Sequence, residues 1–294
     1  MEANIRAFVD YIVREKSVSY NTQISYERDL KKLKEYLCGQ GILLVNEVSE
    51  TVLNSYVLFL EREGKAAATV SRYIASFKGF FEYCQKKGII ATDPAEKLRP
   101  PKVEKKFPQI LTVEETKRLM EAPNLESEKG IRDRAMLELI YATGIRVSEL
   151  LALKMEDLNL SMEYIICHEK AKDRIIPFGN SAKSALEMYL KESRVGMLGD
   201  TEGGYLFVNC SGNPMSRQGF WKLIKYYAEK ASVEKEITPH TFRHSFAAHL
   251  LENGADVHSV QQMMGHADVS TTQMYVEMNN NSVREVYKKF HPRS

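Results

Sequence analysis

In Thr238-Pro239-His240-Thr241-Phe242-Arg243-His244, a threonine able to accept a backbone hydrogen bond stands before a proline whose fixed φ suits the first helical position. The two residues open a helix, and that helix places His240 and Arg243 one turn apart on a single face. A helix N-terminus flanked by a guanidinium and an imidazole suits a phosphate, because unbonded amides, the helix dipole and a bidentate cation all favour an anion there. An exposed first turn with no ligand is the simpler account of this pair taken alone.

Two further stretches have the same character. In Gly144-Ile145-Arg146-Val147-Ser148-Glu149-Leu150, an arginine lies between a glycine turn and an apolar helix, where pairing with Glu149 or capping would also explain it. In Met264-Gly265-His266-Ala267-Asp268-Val269-Ser270-Thr271-Thr272-Gln273-Met274-Tyr275, Ser270 and Gln273 have capping-box spacing and open a short helix carrying Tyr275, nine residues after His266. A tyrosine at such spacing is ordinarily core. A zinc site built from His240, His244, His249, His258 and His266 is a weak alternative, since His240 and His244 lack the adjacent glutamate and any cysteine partner.

The N-terminal part reads as four helices. Ile5, Phe8, Val9 and Ile12 repeat at helical spacing; Ser19 or Thr22 opens a second helix with Tyr26, Leu30, Leu33 and Leu37, stopped by Gly39 and Gly41. A third runs from about Ser49 to Glu63, and a fourth from about Ala66 carries Val70, Tyr73, Ile74, Phe77, Phe80, Phe81 and Cys84 before Gly88. Residues 91–108 hold four prolines and five basic residues in 18 positions and read as an extended linker. The expected domains are therefore 1–90, the linker 91–108, and a second domain 109–294 opened by a Thr112/Glu115 capping box. The second domain reads as helical except for a hairpin, Tyr164–Cys167 and Arg174–Phe178, with Tyr205–Val208 as a third strand.

With 294 residues, 44% hydrophobic and 27% charged, the chain is an ordinary two-domain globular protein by composition, which excludes collagen-like, disordered and disulfide-scaffold classes. The start lacks a basic segment leading into an apolar core, and no later stretch is apolar for 18 residues, so a cytoplasmic protein with no membrane partner is expected. Cys38, Cys84, Cys167 and Cys210 lie more than 40 residues apart and read as reduced, mostly buried thiols. Net charge is only +2, but residues 1–106 carry 18 Lys/Arg against 14 Asp/Glu, whereas 107–294 carry 23 against 25. The basic excess lies in the first third, where ten basic residues fall between Lys65 and Lys106.

Together, two arginines, a lysine-bearing hairpin, two histidines and a tyrosine at loop-to-helix junctions make a metal-independent phosphoryl-transfer site chemically sensible. Such a site needs cations on the non-bridging oxygens and a nucleophile able to hold the phosphate covalently. Arg146 in Ala142-Thr143-Gly144-Ile145-Arg146, His240-x-x-Arg243, His266 after Gly265, and Tyr275 also fall at intervals of 3, 23 and 9 from His240 onward. On these residues the sequence resembles the tyrosine recombinases, or phage integrase family, and most closely its Xer-type members. The N-terminal Ser19-x-x-Thr22-x-x-x-Tyr26-x-x-Asp29-Leu30, the Thr69-x-x-Arg72 helix and Asp93-Pro94-Ala95 extend the likeness along the whole chain. One departure falls on the hairpin turn, His168-Glu169-Lys170-Ala171-Lys172-Asp173-Arg174, where the family carries its lysine within Gly-Lys-Gly-x-x-x-Glu-Arg; Lys170 matches by counting from Arg146, and Lys172 is the fallback.

The resemblance implies a mainly α fold: a four-helix, SAM-like core-binding domain and a mostly helical catalytic domain with a small three-stranded sheet. It implies DNA strand exchange at a specific duplex site through a 3′-phosphotyrosyl intermediate and a Holliday junction, with no metal or nucleotide cofactor. Tyr275 would be the nucleophile, Arg146, Arg243 and His266 would bind the phosphate, His240 would be the base, and Lys170 would protonate the leaving 5′-hydroxyl. Expected DNA contacts are Thr69, Arg72 and Lys78 on the fourth helix, Lys102, Lys105 and Lys106 in the linker, and Lys172 and Arg174 on the hairpin. Chromosome dimer resolution, with its links to cell division, is the role implied; integration of a mobile element, type IB topoisomerase-like rejoining and a catalytically silent DNA-binding relative are the alternatives. The implied assembly is a homo- or hetero-tetramer on DNA, with a paralogous recombinase or an activating DNA translocase as further partners. In it, Val283, Val286, Tyr287 and Phe290 on an exchange helix over 282–290 dock on the neighbouring protomer, hinged at Asn279-Asn280-Asn281.

Overall fold

Ser19 and Ser49 fix where two of the first helices begin, accepting the amides of Thr22 (3.2 Å) and Val52 (3.3 Å) with their hydroxyls. A computed structural model describes residues 1–102, 109–168, 173–199 and 204–265. The chain divides into two compact units, Met1–Lys106 and Phe107–Ser294. In the first, α1 (Glu2–Arg14), α2 (Tyr20–Gly39) and α3 (Glu50–Arg62) pack against α4 (Ala67–Lys86). The apolar repeat of α4 supplies Val70, Tyr73, Ile74, Phe77, Phe80 and Phe81 to the core, where Phe80 meets Phe8 edge-on at 5.7 Å between ring centres.

Part of the stretch read as an extended linker is core instead. Asp93 accepts the Ala95 amide at 2.7 Å in a tight turn around Pro94, and this turn buries Ala95 and Leu98 among the side chains of the first unit. The amine of Lys78, expected at DNA, donates to the Glu96 carbonyl at 2.9 Å and holds the same turn against α4. Arg72, also expected at DNA, pairs with the fully buried Asp29 of α2, with its guanidinium lying 5.2 Å from the Tyr73 ring centre. Burial pushes the Asp29 carboxyl up, and the bond and charge of Arg72 work against that push. Arg72→Ala, which strands a buried carboxylate, is therefore expected to cost about 2–3 kcal/mol in denaturant unfolding. A variant of full stability that has lost only DNA affinity would give Arg72 a role at DNA and none in the core.

The second unit is built around α6 (Glu128–Thr143), which is buried on nearly every side and contacts α5 (Val113–Glu121), α7 (Val147–Ala152), α8 (Asn180–Met188), α9 (Arg194–Leu198) and α11 (Pro239–Glu252). A π turn, Tyr189–Ser193, joins α8 to α9. The capping box predicted at the start of α5 is present, with the Thr112 amide 2.7 Å from Glu115 Oε2 and the Glu115 amide 3.1 Å from Thr112 Oγ1. Between α9 and α11 lies α10 (Arg217–Lys230), and α12 (Val257–Met264) ends the described chain but for Gly265.

The sheet has three antiparallel strands in the order β1 (Leu158–Asn159), β2 (Tyr164–Cys167), β3 (Arg174–Pro177), with Cys167 opposite Arg174 at the end of the hairpin ladder. Its third strand is thus not Tyr205–Val208. That segment makes only isolated bridges, because the backbone groups a ladder would use are taken: the Leu206 amide by Leu153 O, and Leu206 O by Tyr189 Oη and Arg194 Nε. Of the cysteines, Cys84 and Cys167 are buried while Cys38 and Cys210 are exposed, so half rather than most are sequestered. Among the described residues, no helix is long and apolar enough to cross a membrane.

Candidate active site

Gly144 ends α6 in the left-handed region at φ +60°, and a Cβ there would lie 2.2 Å from the Phe246 ring. Only glycine meets both conditions, and the resulting sharp turn sends the chain directly into Arg146 at the start of α7. The Arg146 amide donates to Glu149 Oε2 at 2.6 Å, while its guanidinium donates to Glu149 Oε1 at 2.7 Å and to the Gly265 carbonyl at 2.9 Å. Its side chain is 40% exposed.

Arg243 approaches from α11. Thr238 and Pro239 begin that helix as predicted, which leaves His240 exposed on the first turn and buries Arg243. The Arg243 guanidinium donates to the Gly144 carbonyl at 2.6 Å and to the Met264 carbonyl. Arg146 and Arg243, 97 residues apart in sequence, thus reach consecutive carbonyls at the C-terminal end of α12. Two cations there meet the negative end of a helix dipole and satisfy carbonyls that lack intrahelical donors. Gly265, left-handed at φ +60°, then turns the chain toward His266.

Glu149 joins this pair to the hairpin. Its Oε1, already bonded to Arg146, also lies 3.2 Å from Nη2 of Arg174 on β3, whose side chain is 11% exposed. Arg174, expected to face DNA, is turned inward onto this carboxylate. Burial works to raise the Glu149 carboxyl, but the Arg146 amide bond and the charges of Arg174 and Arg146 outweigh it and hold the group below the usual carboxylate range. From sequence, Glu149 stood out only as a local partner of Arg146. The third partner, 25 residues away on a strand, leaves no mark in any local pattern.

Two other histidines stand on α11. His244, its ring 6.2 Å from that of His240, is pushed down to about 4 by burial and by the positive fields of His240 and Arg243, which keeps it neutral at neutral pH. His249 places Nδ1 2.9 Å from Tyr141 Oη and Nε2 2.8 Å from the Leu111 carbonyl, while the Leu111 amide donates to Ser245 Oγ at 2.9 Å. The first residues of the second unit are thereby strapped to the helix that carries His240 and Arg243. Lys102 and Thr69 are solvent-accessible to different degrees, exposed and half-buried respectively. Lys105, Lys106, Lys170, Lys172, His266, Tyr275 and the expected exchange helix lie outside the described residues.

Relatives agree with this arrangement of elements. The phage integrase family profile matches residues 109–282, and the N-terminal SAM-like domain of phage integrases matches residues 5–88. The chain is 41% identical over 295 residues to the tyrosine recombinase XerD of Staphylococcus haemolyticus, with all of both chains covered. The crystal structure of XerA recombinase aligns over 99% of this chain and 100% of that one, at 29% identity and a TM-score of 0.55. The XerH site-specific recombinase bound to difH substrate shares the fold, with a TM-score of 0.72 at 22% identity, covering 94% of this chain and 82% of that one. The chain belongs to the phage integrase family. Its activity is that of a site-specific tyrosine recombinase of the Xer type.

Proposed function

We propose that Arg146 and Arg243 bind the two non-bridging oxygens of a scissile DNA phosphate and offset the charge that grows in the pentacoordinate transition state. Tyr275 attacks that phosphorus and forms a 3′-phosphotyrosyl bond as the 5′-oxygen leaves. A tyrosine hydroxyl with a pKa of about 10 needs a proton acceptor at neutral pH, and His240, exposed one turn before Arg243, is the base assigned. His266 adds a hydrogen-bond donor, and Lys170 gives its proton to the leaving 5′-hydroxyl. Attack by the 5′-hydroxyl of a partner strand then reverses the chemistry, so bond energy is kept and strands are exchanged through a Holliday junction. The biological role is chromosome dimer resolution, with the protein acting as a tetramer on two duplexes and each tail seated on its neighbour.

The observation that supports this most directly is the convergence of two arginines from separate helices on the carbonyls of Met264 and Gly265, next to the segment that leads in sequence to His266 and Tyr275. That the Tn1549 transposon integrase, a protein of the same fold, was solved in complex with circular intermediate DNA favours DNA as the partner. A duplex nicked beside the cleavage point, which traps the enzyme once the short strand diffuses away, is expected to accumulate covalent complex without added metal. Supplying a second duplex with a free 5′-hydroxyl should then yield recombinant strands. Covalent complex that rejoins only its own strand would indicate a topoisomerase-like enzyme, and no complex at all a silent DNA-binding relative.

A further inference from the structure

His168 follows β2 and Asp173 precedes β3, so the two stand at the mouth of the hairpin, one step beyond the Cys167–Arg174 rung. His168 Nε2 lies 2.9 Å from Asp157 Oδ1, and Nδ1 lies 3.0 Å from Asp173 Oδ2. A neutral imidazole has one N–H and one lone pair, so it can bond only one of two carboxylates; an imidazolium donates to both. Asp157, which ends the short 3₁₀ turn Met155–Asp157, is nearly fully buried, and its other oxygen accepts the Lys154 amide at 2.8 Å. Asp173 is half exposed. Among the described residues, the other charged group lining the same small cleft is Glu149, itself held by Arg146 and Arg174.

We propose that His168 is a positioning residue for strand transfer: as an imidazolium it clasps Asp157 and Asp173, seats the neighbouring Arg174 on Glu149, and so steadies Arg146. The inference rests on the reading of Arg146 as a phosphate-binding residue. Without the clasp, Arg174 is the terminal residue of a four-residue ladder, where pairing frays most readily. The histidine's affinity for its proton is raised by the bond to Asp157, then by the bond and charge of Asp173. The clasp is accordingly complete below the ordinary histidine range and is lost as pH rises through the raised value. The remaining proton then stays on the nitrogen facing buried Asp157, because an unbonded buried carboxylate costs more than an exposed one, and Asp173 lets go.

The test is the rate of covalent-complex formation by the full chain on the nicked duplex, at saturating protein, from about pH 5.5 to about pH 8.5, the span in which a raised histidine titrates. His168→Gln is expected to run about threefold to fivefold below the unmodified protein at the acidic end, as befits two partly exposed ion pairs. The gap should close at the alkaline end. Asp173→Ala, which keeps the imidazole but removes the second carboxylate and with it part of the hold on the proton, should lose the same acidic advantage, and the double variant should add nothing further. On DNA with a 5′-bridging phosphorothiolate, whose sulfur leaves without a proton, the gap should persist, since Arg146 acts on the non-bridging oxygens. A gap that vanishes on that substrate overturns the route through Arg146 in favour of one through the turn lysine. If Arg146→Ala cleaves normally, the reading of the site fails; if Arg146→Ala is inactive while His168→Gln matches the unmodified protein at every pH, the clasp alone fails.

Discussion

Tyr275→Phe is expected to form no covalent protein–DNA complex while binding duplex DNA as tightly as the unmodified chain. The substitution removes one oxygen and no charge, so the phosphate contacts that dominate affinity are left intact. Loss of a nucleophile that forms the covalent intermediate removes the whole route, and a fall of about 10⁴-fold or more in cleavage is the scale set by nucleophile knockouts in other covalent enzymes. The measurement is gel-resolved covalent complex on the nicked duplex beside a binding titration at the same salt. Adduct at the unmodified level would move the nucleophile's role to another of the 15 tyrosines.

Arg243→Ala has the second largest expected effect, and it acts on two levels. At the transition state it deletes a preorganised cation at a developing negative charge, worth about 100-fold or more in cleavage rate. In the fold it strips the hydrogen-bond donor from the carbonyls of Gly144 and Met264, at about 1–3 kcal/mol for each buried acceptor left bare. Arg243→Lys separates the levels. It keeps the charge but not the fork that reaches two acceptors, so it should recover stability only in part and still cleave about tenfold or more below the unmodified chain. Arg146→Ala, at a 40% exposed side chain, should match the loss of rate with a smaller loss of stability. A rate loss under threefold for Arg243→Ala, measured by single-turnover cleavage, would remove Arg243 from the site.

What could be read from sequence was whatever has a local signal. The helix starts near Ser19, one of two read there, and near Ser49, the apolar repeat of α4 and the Thr238-Pro239 helix start are short-range patterns, and each stands where it was expected. Arg146 and Arg243 stood out as cations at loop-to-helix junctions, but each had a plainer local account, and only their spacing with His266 and Tyr275 joined them into one expected site. Ala95 and Leu98 were hidden because the prolines around them signal extended chain whether or not a core lies alongside. The strand Leu158–Asn159 is too short to show alternation. The acceptors that bring the two arginines together, Gly144, Met264 and Gly265, contribute backbone carbonyls, and a carbonyl looks the same at every residue.

The strap from Leu111 to Ser245 and His249 changes where the catalytic unit should be cut for separate study. A fragment begun at Val113, the first residue of a regular element, would look tidy in a diagram of helices. It would also discard both halves of a hydrogen-bonded tether to α11 and leave His249 with a buried nitrogen facing nothing. Poor activity in such a fragment would then report a loosened active-site helix rather than any need for the first unit. A fragment begun ahead of Gln109 keeps the fastening, and only that fragment can say what the first unit contributes.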